Sequence, residues 1–119
     1  MKDNIIVEKS IEFAVSIVYI CRHLQKDHKE YVISKQLLKS GTSIGANVKE
    51  AIQAQSKKDF LNKTNIALKE ASETEFWIDL LIRTHYLDKN AANLINECIE
   101  INKIIQTIVK TTKQNLGIQ

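Results

Sequence analysis

Proline is absent from this 119-residue sequence and glycine occurs three times. Nothing therefore cuts the chain into short strands and turns, and an all-α fold is expected. Two cysteines, Cys21 and Cys98, are too few for a disulfide framework. Both lie in apolar stretches, so buried reduced thiols are expected, with a single bridge as the alternative. The longest apolar run, Phe13 to Cys21 with one Ser, is too short to span a bilayer. Met1-Lys2-Asp3-Asn4 does not open a secretory leader, so a cytoplasmic location with no membrane partner is expected. Catalytic and metal signatures are missing as well. His23, His28 and His85 stand at no ligand spacing, and neither cysteine has a Cys or His near it in a known pattern. No Ser is framed as a nucleophile, and Glu70, Glu73 and Glu75 read as a solvated acidic patch. We expect no enzyme, no cofactor and no metal.

What is present is helical periodicity. Four segments are predicted: Asn4 to Lys26, capped by Asp3 or Asn4; Ser34 to Gln55; Ser56, an N-cap, to Tyr86; and Asp88, a cap, to Leu116, stopped by Gly117. At about 100° per residue, Leu37, Gly41, Ile44, Val48, Ala51 and Ile52 share one side of the second segment. Phe60, Ala67, Ala71, Thr74, Ile78, Leu81 and Ile82 do so on the third, and Leu94, Cys98, Ile101, Ile105, Ile108 and Val109 on the fourth. Short connections make consecutive helices antiparallel, so the whole chain, 1–119, is expected to form one up-down-up-down four-helix bundle.

The first and third segments carry more apolar surface than one bundle needs. Ile66, Phe76, Trp77 and Leu80 lie away from the core stripe of the third. The first adds Val7, Ile11, Ala14 and Val18 to Phe13, Ile17, Ile20 and Leu24. Such surplus marks an interface, here between copies of the chain, or else a deeper core.

The centre of the second segment, Ser40-Gly41-Thr42-Ser43-Ile44-Gly45-Ala46-Asn47-Val48-Lys49-Glu50-Ala51, is rich in small residues. It lacks the spacing, the Lys and the preceding strand of a phosphate loop. Gly41 and Gly45 instead share the apolar side, where they allow a neighbouring helix close or permit a kink. On the opposite side Lys35, Lys39, Thr42, Ala46, Lys49 and Gln53 fall within about 80°. Charge is uneven along the chain: ten basic and four acidic residues from Arg22 to Lys69, against two basic and seven acidic from Glu70 to Glu100. Either neighbouring helices pair by charge, or Lys35, Lys39 and Lys49, extended by Lys57, Lys58 and Lys63, form a strip for RNA or DNA phosphates. Few aromatics interleave with these lysines, which favours a protein-binding scaffold as the alternative.

The segments Ser34-Lys35-Gln36-Leu37, Ser43 to Ala51, Ser56 to Phe60 and Ile66 to Glu75 together resemble the four-helix-bundle family of 23S rRNA intervening-sequence proteins. They are similar also to the related accessory proteins of diversity-generating retroelements. Ser43 to Ala51 matches the family's S-I-P-x-N-I-x-E-G except that Gly45 replaces Pro and Ala51 replaces Gly. Ser56 to Phe60 resembles S-x-x-x-F. Ile66 to Glu75 resembles I-A-x-G-S-x-x-E-x-E, with Glu70-Ala71-Ser72 in place of the small Gly-Ser turn. The resemblance implies ring-shaped homopentamers, no established catalysis, nucleic-acid or RNA-bound protein partners for some members, and a ribosomal-protein-like name. Asn47 and Glu50 match the family pattern. Their position on the flank of the second core stripe gives them a structural, hydrogen-bonding role.

Overall fold

The computed structural model describes residues 2–118, with the side chains of residues 2–4 and of Asn90 outside the description. Its elements are α1 (Lys2–Asp27), α2 (Val32–Ile52), α3 (Lys57–Arg83), a 3-10 turn (Lys89–Ala91) and α4 (Ala92–Asn115). No strand occurs among the described residues. Each helix packs on its neighbours in sequence, α1 closes the square against α4, and among the described residues the backbones of diagonal pairs do not approach closely. Contacts run in opposite directions along each pair: Gly41 and Gly45 of α2 face Ile17 and Ser10 of α1, respectively. The result is the expected antiparallel bundle, 48 × 23 × 21 Å.

The predicted stripes form the core. Phe13, Ile17, Leu24, Leu37, Ile44, Ile78, Leu81 and Ile105 are fully buried, each stabilising the fold by about 1.5–3 kcal/mol relative to an exposed position. Ile52 is the exception, 44% exposed at the end of α2. Both thiols are buried and unbridged. Cys21 donates to Ser34 O and Cys98 to Ala71 O, each at 3.3 Å. Between α2 and α3, Thr74 Oγ1 donates to Ser40 Oγ at 2.9 Å, so these buried hydroxyls satisfy one another.

The two central glycines lie inside an unbroken α2 and serve packing. A Cβ at Gly41 would stand 2.9 Å from Ile17 Cγ1 and Cγ2, and one at Gly45 would stand 3.2 Å from Ser10 Cβ. The close approach of α1 offsets the roughly 1 kcal/mol that Gly costs in a helix interior.

Helix ends differ most from expectation. α1 begins at Lys2, ahead of the expected cap at Asp3 or Asn4. α2 begins at Val32 and ends at Ile52. Its first amides are held by the Glu30 carboxylate, which accepts from Val32 N at 3.3 Å, Ile33 N at 3.1 Å and Ser34 N at 2.7 Å. α3 has the expected cap, with Ser56 Oγ accepting from Asp59 N at 3.0 Å. It stops at Arg83, because His85 takes a left-handed backbone (φ 66°) and Tyr86 N bonds back to Leu81 O at 2.9 Å. That is a Schellman ending with His where Gly is usual. The 3-10 turn separates Asp88 from α4. α4 ends in the same motif, with the expected Gly117 (φ 71°) and Ile118 N bonded to Lys113 O at 2.8 Å.

Candidate functional site

The core uses one side of each helix and leaves four outer faces to compare. On α2, Lys35, Lys39 and Lys49 are all exposed and take part in none of the ion pairs found among the described residues. At 1.5 Å rise per residue, Lys35 and Lys39 stand about 6 Å apart along the axis and Lys49 about 15 Å further on. Only small side chains, Thr42 and Ala46, separate them on that face. Lys39 lies near Glu70 of α3. Burial, then the charge of Glu73, raises the Glu70 carboxyl above its ordinary value, and Lys39 works against that shift.

The other predicted lysines divide. Lys57 and Lys58 are exposed in the first turn of α3. There the helix dipole is positive, so two cations are placed against it, at about 0.3–1 kcal/mol each. Neither enters an ion pair among the described residues, although Asp59 shares their turn. Lys63 is half-buried and donates to Glu50 Oε1 at 3.3 Å. Its charge is thus partly compensated by Glu50 across the α2–α3 boundary. Asn47 Nδ2 donates to Ser43 O of its own helix at 2.8 Å.

The outer face of α1 carries an apolar row, and that of α3 carries two exposed apolar side chains among polar ones. Along α1, Ile11, Val15 and Tyr19 recur every fourth residue at 42%, 49% and 63% exposure. Ile11 and Val15 flank a cleft of about 300 Å³ between α1 and α2, lined also by Ala14, Val18, Ala46 and Lys49. On α3, Ile66 and Phe76 are exposed, while Trp77 and Leu80 are half-buried. Trp77 packs on the core and against Phe76, ring centroids 5.0 Å apart; its Nε1 donates to Glu73 at 3.4 Å. The outer row of Val15 and Tyr19 escaped the sequence reading, although its four-residue spacing from Ile11 was the signal.

No arrangement for catalysis assembles among the described residues. Burial pushes both thiols up to about 12, with Glu30 adding to the effect at Cys21 and Glu75 at Cys98. They are protonated at neutral pH and poor nucleophiles. No described helix is long and apolar enough to cross a membrane.

The comparisons agree with this architecture. A solved structure, described as a protein with unknown function from the S23 ribosomal protein family from Bacteroides thetaiotaomicron VPI-5482, is 56% identical. The match covers 92% of this chain and 99% of that one, with a TM-score of 0.90. No curated protein matches the chain. The family model described as 23S rRNA-intervening sequence protein matches residues 2–107. A match over that span, on a bundle with these helices, places the chain in the 23S rRNA-intervening sequence protein family.

Proposed function

We propose that this chain is a non-enzymatic, self-associating bundle that holds RNA or DNA by its phosphates along the outer face of α2. The observation that carries this is the unpaired row Lys35, Lys39 and Lys49, with small residues between them. Small neighbours let a phosphate backbone lie close to the helix. Lys57 and Lys58, set against the α3 dipole, extend the strip, and Lys63 contributes least because Glu50 holds it. Phosphate contacts of this kind read no sequence, and their affinity falls as salt displaces the ligand.

Self-association is supported by the exposed row on α1 and by the exposed Ile66 and Phe76 on α3. These helices are diagonal in the bundle, so their outer faces point in opposite directions. A contact from the α1 face of one copy to the α3 face of the next is head-to-tail, and such contacts close into rings when the rotation permits. A ring of five, as the family resemblance implies, is the assembly proposed here.

The test is filter binding of a short RNA across a salt series. Affinity should fall steeply and linearly on logarithmic axes as salt rises. An affinity indifferent to salt overturns the phosphate strip. It would leave the second proposal, a scaffold that engages proteins alone, which the scarcity of aromatic side chains on the α2 face favours.

A further inference from the structure

The three histidines of the chain, two at the end of α1 and one after α3, all line one cleft of about 420 Å³. It lies at the end of the bundle where the α1–α2 turn meets the α3–α4 turn. The rings of His23 and His28 stand 5.0 Å apart and nearly perpendicular. His28 in turn meets the ring of Tyr86 edge-on at 6.1 Å. The Asp27 carboxylate lies 2.6 Å from His23 Nδ1.

This geometry has a chemical consequence. With Nδ1–H donated to Asp27, the neutral His23 ring presents its Nε2 lone pair, which is how a carboxylate prepares a metal-ligating histidine. An ion held about 2.1 Å from two imidazole nitrogens in tetrahedral geometry sets the ring centroids roughly 5 Å apart. His23 and His28 already have that separation.

His85 is the third donor in reach. It occupies the left-handed position that ends α3, with φ 66°. Gly is the usual residue there, and a side chain at such a position costs on the order of 1 kcal/mol. The imidazole is exposed and lines the same cleft. No three described His, Cys, Asp or Glu side chains already converge on one point, so His85 must swing in to complete a site.

We propose that His23, His28 and His85 bind a borderline divalent transition-metal ion such as zinc, with Asp27 orienting His23 and water filling the remaining position. Imidazole nitrogens suit this class, whereas magnesium and calcium prefer oxygen donors. A bound ion would tie the two turns together across one end of the bundle. The proposal is independent of the phosphate strip and of self-association.

The test is calorimetric titration of the full chain, free of any tag, with zinc chloride, together with thermal melts. Wild type should bind one ion per chain at micromolar concentration, and its melting temperature should rise with metal, since the ion binds the folded state alone. His23→Ala and His28→Ala should each weaken binding at least about tenfold. His85→Gly should weaken it as well, while the metal-free protein melts no lower than wild type because glycine relieves the left-handed backbone. Zinc that fails to bind at millimolar concentration overturns the site, as does equal affinity for the double variant H23A/H28A. Equal affinity for His85→Gly removes His85 from it.

Discussion

α1 and α2 are neighbours with matching insides and opposite outsides. Both bury a row of Ile, Leu and small residues against the same core, and they touch closely where Gly41 meets Ile17. Away from the core, α1 shows Ile11, Val15 and Tyr19, while α2 shows Lys35, Lys39 and Lys49. The shared inside follows from the bundle, which asks the same of every helix. The differing outsides do not, because a stable monomer is served by any polar outer face. An apolar outer row leaves surface in water that another surface can cover. A row of lysines that enters none of the ion pairs among the described residues concentrates charge that an anion can neutralise. Under the proposed function the two faces would take different partners, another copy for α1 and a nucleic acid for α2.

The largest expected effect separates those assignments. Reversing Lys35, Lys39 and Lys49 to Glu should lower RNA affinity by about 100-fold, with the molar mass from light scattering unchanged. A fall in mass would show that the α2 face also holds the subunits together. The converse variant is Val15→Glu, which puts a charge at the centre of the α1 row. It should weaken self-association by at least about tenfold without altering the helical signal of the fold.

Smaller effects test the seam between the two helices. Gly41→Ala gains helix propensity but drives a methyl into Ile17, a stiff β-branched neighbour, and should destabilise the fold by about 1–2 kcal/mol in chemical denaturation. Gly45→Ala, facing the smaller Ser10 at 3.2 Å, should stay within about 1 kcal/mol of wild type. Equal costs at the two positions would mean that the helices are not closest at Gly41.

The smallest effect concerns the edge of the lysine face. The Glu70 carboxyl is raised chiefly by burial, so its folded form holds a proton more tightly than its unfolded form. Its contribution to stability is fully present below the unfolded value and is lost as pH rises through the folded one. Glu70→Gln should therefore raise the thermal midpoint slightly at neutral pH. It should change nothing at a pH low enough to protonate the acid in both states.

The core was legible because burial imposes a period on the sequence. Leu37, Ile44 and Val48 announced the inner face of α2, and Ser56 and Gly117 announced helix ends by residue types that stabilise those ends. Where a different residue does the same work, the sequence was silent. Glu30 caps α2 from a position before the helix, reaching forward to three amides, and His85 stands where Gly would have signalled the end of α3. Contacts between helices were equally hidden. The pairing of Lys63 with Glu50, and the gathering of His23, His28 and His85, depend on the register of packed helices and on which turns share an end of the bundle. No spacing along the chain encodes either. Val15 and Tyr19 were legible by spacing and were passed over, because a fourfold recurrence on an outer face looks like an extension of the core stripe until the core is seen.

Self-association is most directly tested by the molar mass of the purified chain at micromolar concentration, measured by light scattering. Copies that cover one another's apolar rows give several times the 13.6 kDa of a single chain, and five times that mass for the proposed ring. A well-folded species of 13.6 kDa, with Val15 and Tyr19 left in water, would contradict the account.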